Sequence, residues 1–251
     1  MASDQECPAR PRTQSRTAGR EPDLASRRAA MRDLFNGTAR HYDAINRWFS
    51  LGTGAWYRRT RLKWAGLKPR QRGIDVAVGT GLLAREALAI TGDPNAIIGV
   101  DVSEAMLAVA RRKLGIPLVQ GAAEALPIAG EAADFVTMGY ALRHVADIDA
   151  AFREAYRVLR PGGTLLLLEI GHPCKRLPRA LAAAYIGGVV PLLSMVTTRD
   201  RRAHQLMRYH WRSIVVSVAP DAIVAAMAKA GFREIEWETE LDLFQAYRGR
   251  K

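Results

Sequence analysis

The stretch Gly73-Ile74-Asp75-Val76-Ala77-Val78-Gly79-Thr80-Gly81 constrains this chain more than any other. It reads as a short apolar strand running into a turn with two glycines, and residues 82–90 continue with a helical pattern. Glycine suits such a turn because a Cβ would keep the backbone from approaching a ligand closely. The free N–H groups that open the following helix face the same ligand. A second apolar run, Ala96-Ile97-Ile98-Gly99-Val100, ends in Asp101. A carboxylate at the tip of a second strand suits the paired hydroxyls of a ribose. Turn and Asp101 together predict a nucleoside-bearing cofactor lying across the carboxyl ends of parallel strands.

From Gly73 onward the pattern alternates between strand and helix. Strands are expected at 73–78, 96–100, 117–119, 133–138, 164–170, 233–239 and 243–247. Ser103 is placed to cap a helix over 104–113. Ile148, Phe152, Ala155 and Leu159 recur at helical spacing, and Pro161-Gly162-Gly163 ends that helix in a sharp turn. The nearly all-apolar run 164–170 suits a strand buried on both faces. The fold class is therefore α/β: a doubly wound, mostly parallel seven-stranded sheet, Rossmann-like, with helical cap segments.

Two cap segments are expected. Residues 31–65 carry a dense set of aromatics and read as two helices with a break near Ser50-Leu51-Gly52, placed to roof a substrate pocket. Residues 175–217 form the second, inserted before the last helix. Residues 1–30, rich in Arg, Pro, Ser and Thr, are expected to be a disordered basic tail ahead of one domain spanning 31–251.

At 251 residues the chain suffices for one such domain with a sizeable core. Its net charge of +12 is compatible with nucleic acid, an anionic membrane surface, acidic substrates or a plain solvated surface. Two cysteines, Cys7 and Cys174, make no disulfide framework and fit a reducing compartment. The histidines show no metal-ligand spacing, His204 and His210 included, so no metal is expected. No secretory signal is visible. The most apolar stretch, 180–196, is broken by Gly187-Gly188 and Pro191, is short for a membrane span, and reads as a covering helix. The expected location is cytoplasmic, with peripheral membrane contact left open.

Two nucleoside cofactors compete. Gly79-Thr80-Gly81-Leu82-Leu83-Ala84 satisfies the loose G-x-G-x-x-A of dinucleotide folds. However, Asp75 ahead of the turn, Leu126-Pro127-Ile128 after the third strand and Leu159-Arg160-Pro161-Gly162-Gly163 before the fifth resemble the motif series of class I methyltransferases. That resemblance implies S-adenosylmethionine, with the glycine turn along its amino-acid part and Asp101 on its ribose. The cofactor set it implies is Asp75, Val78, Gly79, Thr80, Gly81, Asp101, Val102, Met106, Ala122, Ala123 and Tyr140.

A narrower resemblance covers most of the chain. Arg32-Asp33-Leu34-Phe35-Asn36-Gly37-Thr38-Ala39-Arg40-His41-Tyr42-Asp43, with Asn46 and Ser50-Leu51-Gly52, resembles the N-terminal signature of the C-methyltransferases of ubiquinone and menaquinone biosynthesis, the UbiE type. Ala141-Leu142-Arg143-His144-Val145 with Asp147, then Glu169, Pro173, Tyr209, Ser213, Ile214 and Ala230-Gly231-Phe232, continue it. The chain departs from the family at Val78, usually glycine; at Ala122, usually an acidic residue on the adenine; and at His144, usually asparagine.

The resemblance implies C-methylation of a prenylated benzoquinol or naphthoquinol precursor. Arg143 would stabilise the phenolate, His144 would take its proton, and Tyr42, Asp43 and Tyr209 would position the ring. Alternatives left open are O-, N- or C-methylation of another small aromatic metabolite, and a non-catalytic binding protein on the same fold. The expected partner is a small aromatic substrate. A homodimer is left open, and nucleic acid is not expected, since no base-flipping signature is present.

Overall fold

The strand that leads into the glycine turn lies at the centre of the sheet. The computed structural model describes residues 24–40, 42–193, 209, 211, 213–215 and 217–251. Strand β1 (Gly73–Val76) pairs in parallel with β2 (Ile97–Asp101) on one side and β4 (Ala133–Gly139) on the other. Outside them, β3 (Leu118–Gln120) and β5 (Leu159–Ile170) also pair in parallel. Strand β7 (Phe244–Arg250) runs antiparallel to β5, and β6 (Arg233–Glu240) pairs antiparallel with β7. The order β3-β2-β1-β4-β5-β7-β6 is the doubly wound, mostly parallel seven-stranded sheet expected from the sequence.

Strand periodicity decides which helix each side chain meets. On β5, Leu165 and Leu167 join Phe152 and Val158 of α6 (Ile148–Val158) and Ile223 and Met227 of α8 (Pro220–Lys229). Leu166 and Leu168 point the other way, into a cluster with Leu62 of α3 (Gly54–Trp64), Leu83 of α4 (Leu82–Thr91) and Leu107 of α5 (Glu104–Lys113). Each fully buried leucine contributes about 1.5–3 kcal/mol, so two-sided burial of one strand is a major term in stability. Ser103 caps α5 by accepting from the Met106 N–H at 3.1 Å, and Asp147 caps α6 through the Ala150 N–H at 2.9 Å.

The Pro161-Gly162-Gly163 turn differs from expectation. It lies inside β5 instead of before it, because the backbone stays paired across the bulge. Leu159 pairs with Ala133, the Gly162 N–H donates to the Lys251 carbonyl at 2.9 Å, and the Lys251 N–H returns to the Gly163 carbonyl at 2.9 Å.

Three helices precede the sheet, one more than the sequence predicts: α1 (Leu24–Thr38), α2 (Tyr42–Phe49) and α3. The expected tail over 1–30 is corrected at its end, since α1 begins at Leu24; residues 1–23 lie outside the described residues. The helix continues there because Leu24-Ala25-Ser26-Arg27-Arg28-Ala29-Ala30 contains no glycine or proline. Helix α1 packs against α5, and α3 against α4. In the second cap segment, α7 (Arg176–Ala184) runs into a π-helical turn at Tyr185–Val189. The remainder of the expected 175–217 cap, with His204 and His210, falls largely outside the described residues.

Candidate active site

The strand order reverses between β1 and β4, and a cleft opens at their carboxyl ends, where doubly wound sheets bind ligands. The space of this cleft, its open mouth included, is about 760 Å³. Its floor is Ala77 and Gly79 after β1, Asp101 and Val102 at the end of β2, Gly121, Ala123 and Glu124 after β3, and Gly139, Tyr140 and Ala141 at the end of β4. Met106, His144 and Val145 close its sides, and Met31, Phe35 and Tyr42 of the N-terminal helices lie over it.

Asp101 is buried, and both its oxygens are fixed by backbone donors. Oδ2 accepts from the Gly79 N–H and Oδ1 from the Ser103 N–H, each at 2.8 Å. Burial pushes its carboxyl up, against the lowering effect of the N–H groups of Ser103, Gly79 and Val102. A carboxylate offers about four acceptor sites, so sites remain for hydroxyl donors of a ligand. The two turn glycines differ. Gly81, at φ +87°, has no room for a side chain: a Cβ would lie 2.4 Å from Leu114 Cδ1. Gly79, at φ +56°, meets nothing nearer than the Ala77 carbonyl at 4.0 Å, and its open side faces the cleft.

A second cleft, of about 890 Å³, adjoins the first. Ile45, Trp56, Tyr57, Ile170, Leu241 and Phe244 give it an apolar lining, with Asn46, Arg58, Arg143 and Glu240 as polar groups. Tyr42 and Tyr140 belong to both clefts and form the wall between them. Tyr140 holds a left-handed φ of +61°, a conformation that costs a non-glycine residue about 1–3 kcal/mol and recurs at functional sites. Burial pushes its phenol up to about 12, against the lowering field of Arg58. Burial likewise raises Tyr42 and Tyr209. All three phenols are protonated at neutral pH, so none of them is a base.

The one-turn helix Leu142–His144 after β4 places consecutive residues on the two clefts: Arg143 lines the apolar one, His144 the other. The Arg143 guanidinium is engaged in a buried ion pair with Glu169 of β5 and donates from Nε to Ser213 Oγ at 3.2 Å. His144 Nδ1 lies 2.8 Å from Tyr209 Oη, and its ring stacks on Tyr209 and meets Phe35 edge-on. Tyr209 Oη also contacts Met31 Sδ at 3.1 Å.

Of the residues expected at the cofactor, Gly79, Asp101, Val102, Met106, Ala123 and Tyr140 line the first cleft. Others do not. Asp75 is buried behind it, accepting from Thr137 Oγ1 at 2.6 Å, and burial raises its carboxyl to about 7. Val78 packs into the core against Gly99. Gly81 backs onto Leu114, and Ala122 is not on the cleft lining although Gly121 and Ala123 are. Thr80 donates its hydroxyl to Asp43.

Asp43, expected at the substrate, is the partner in that bond. Its carboxylate bridges Thr80 and Lys113, clamping α2 to the glycine turn and α5. Asn36 does the same for α1, accepting from Ser103 Oγ at 2.7 Å and the Ala105 N–H at 3.2 Å.

Sequence reasoning missed Arg58, Tyr57, Phe244, Met31, Phe35 and Glu124. One signal was available: Tyr57, Arg58, Arg61 and Leu62 recur at helical spacing on the buried face of α3.

The pattern of the ubiE/COQ5 methyltransferase family matches residues 23–242. The chain belongs to this family. Two family members named ubiquinone/menaquinone biosynthesis C-methyltransferase UbiE, from Shewanella frigidimarina and Shewanella oneidensis, are 32% and 31% identical to it. Each alignment covers 87% of this chain and 89% of the relative. Among solved structures, a SAM-dependent methyltransferase from Thermotoga maritima superposes with a TM-score of 0.63 at 23% identity, covering 88% of this chain and 99% of that one. Phosphoethanolamine N-methyltransferase 2 of Haemonchus contortus, in complex with S-adenosyl-L-methionine, superposes at 0.56 and 19% identity, covering 78% and 52%. The chain is thus an S-adenosylmethionine-dependent methyltransferase of the ubiE/COQ5 family. The first cleft fits that cofactor: it has a backbone cradle at Gly79 that a Cβ would fill, and a buried carboxylate acceptor at Asp101.

Proposed function

We propose that this protein methylates a ring carbon of a prenylated benzoquinol or naphthoquinol precursor. The observation that supports this best is the pair of adjoining clefts. One meets the glycine turn, the other is apolar, and both share Tyr42 and Tyr140. The names of the Shewanella relatives point to the same substrate class.

The cofactor supplies a methyl already activated by its sulfonium. Held in the first cleft, it would supply that methyl to the ring carbon, and the proton displaced from the ring carbon would leave to solvent. The chain's part is to hold the ring in line and manage protons. Gly79 and Asp101 hold the cofactor. Tyr42 and Tyr140 orient the ring where the clefts meet. His144, its Nδ1 fixed by Tyr209, takes the hydroxyl proton through Nε2, directly or through water. Arg143, tied to Glu169, holds the turn that carries His144.

Incubation with labelled S-adenosylmethionine and a prenylated quinol precursor, read by mass spectrometry, tests the reading. Label on a ring carbon is expected; label on oxygen or nitrogen alone refutes it. His144→Ala should lower turnover by about a hundredfold with cofactor affinity retained.

A long isoprenoid tail resides in a bilayer, and we propose that the protein docks there peripherally. No helix among the described residues is long and apolar enough to cross a membrane. Trp56 and Leu241, on the lining of the apolar cleft, are 66% and 80% exposed. Leu177 and Leu181 on α7 are 69% and 61% exposed, beside Lys175, Arg176 and Arg179. The Asp242 carboxylate accepts the Lys175 N–H at 2.8 Å and so joins the Leu241 turn to the start of α7. Co-sedimentation with anionic vesicles, weaker with zwitterionic ones and lost in Leu177→Ser/Leu181→Ser, is expected.

A further inference from the structure

Three arginines are buried around the apolar cleft, and they differ in one respect. Arg61 pairs with Glu238 and Glu240, and Arg143 pairs with Glu169. Arg58, at 6% exposure, pairs with no carboxylate among the described residues. Its hydrogen bond is to a neutral group and is long: Nη2 donates to Asn46 Oδ1 at 3.3 Å. The guanidinium lies 5.7 Å from the centre of the Tyr140 ring and lines the apolar cleft beside Tyr42 and Tyr140. Gly54 makes room for it, since a Cβ there would come within 2.9 Å of Arg58 Nη1.

A guanidinium carries five donors and does not lose its charge. Taking it out of water without a counter-anion is unfavourable, so a fold that holds one in an apolar cleft with no carboxylate partner has a use for it. Arg143, expected from the sequence to meet the acceptor's negative charge, already has that charge balanced by Glu169. We propose that Arg58 forms an anionic-oxygen subsite in the apolar cleft, which binds the acceptor as its phenolate. This rests on the quinol reading above and deepens it. The hydroxyl proton leaves towards His144 or solvent, and the oxygen left behind takes charge-assisted hydrogen bonds from the free N–H groups of Arg58. Negative charge on that oxygen activates the ring carbon, so the subsite favours the reactive form of the substrate.

The probe is 4-nitrophenol, whose ionised form is read by its visible absorbance, added to protein saturated with S-adenosylhomocysteine. The wild type should bind the phenolate at least about tenfold more tightly than the phenol, seen as a lowered apparent pKa of the bound probe. Arg58→Gln should abolish that preference, and Arg58→Lys should restore part of it. Unchanged S-adenosylhomocysteine affinity shows that the variants are folded. Should Arg58→Gln fail to fold, Gly54→Ala displaces the guanidinium without removing its charge and should reduce the preference. No phenolate preference in the wild type, or an equal one in the variants, overturns the proposal. No methyl is transferred in this assay. A quinol precursor that is C-methylated without any Arg58-dependent preference refutes this inference alone. An Arg58-dependent preference without C-methylation refutes the quinol reading alone.

Discussion

Removing the charge of Glu169 should unfold this protein more readily than any surface change and should disturb catalysis at the same time. Glu169 and Arg143 have side chains only 3% and 5% exposed. The carboxylate receives the Arg143 guanidinium, the Arg143 N–H at 3.3 Å and the Ile170 N–H at 2.9 Å. In Glu169→Gln the amide keeps one acceptor oxygen, turns an NH2 toward these donors, and leaves a buried guanidinium uncompensated. Breaking a buried pair in this way costs about 3–5 kcal/mol. A domain has about 5–15 kcal/mol in total. With an m-value of about 3 kcal/mol/M, a loss of about 4 kcal/mol lowers the urea midpoint by about 1.3 M at unchanged slope. The double variant Arg143→Met/Glu169→Leu removes both charges and should recover most of the loss, giving a large coupling in the double-mutant cycle. A Glu169→Gln midpoint close to wild type, or a double variant that loses the sum of the singles, would refute the argument.

The remaining predictions concern the cofactor cleft and the core behind it. Asp101→Ala strands the N–H groups of Gly79 and Ser103 and should weaken cofactor binding by about 2–4 kcal/mol by calorimetry, and unchanged affinity would sink the ribose assignment. Gly81→Ala should cost about 2–4 kcal/mol of stability, from its left-handed φ and the collision with Leu114. Gly79→Ala should cost only about 1 kcal/mol of stability yet reduce cofactor affinity, because its Cβ enters the cleft; the reverse ranking in thermal melts would overturn the distinction. For Asp75, burial raises the folded carboxyl from 3.8 to about 7, so the folded state holds the extra proton in that window. Wild-type stability from this group is full below the unfolded value and lost as pH rises through about 7. Asp75→Asn should therefore gain on the wild type in melting temperature across that window and hold a constant lead above it.

The sequence alone determined the alternation of strand and helix, the glycine turn, the capping serine at 103 and the acidic tip at Asp101. These are local: each follows from side-chain period, backbone freedom or a hydrogen bond three residues away. The same local grammar carried the family signature and with it the methyltransferase fold. The tertiary structure decided how the charges are shared. Arg143 and Glu169 stand twenty-six positions apart and Asp43 and Thr80 thirty-seven, so no periodicity links them; parallel strands and a docked helix bring them together. That docking gave Asp43 its partners Thr80 and Lys113 and balanced the charge of Arg143. Arg58 sits in the run Tyr57-Arg58-Arg59-Thr60-Arg61, where every arginine looks alike in sequence. Only the packing of α3 distinguishes Arg59, paired at the surface, from Arg61, buried between two glutamates, and from Arg58, buried with none, because the partner of a buried charge comes from whichever distant strand the fold lays beside it.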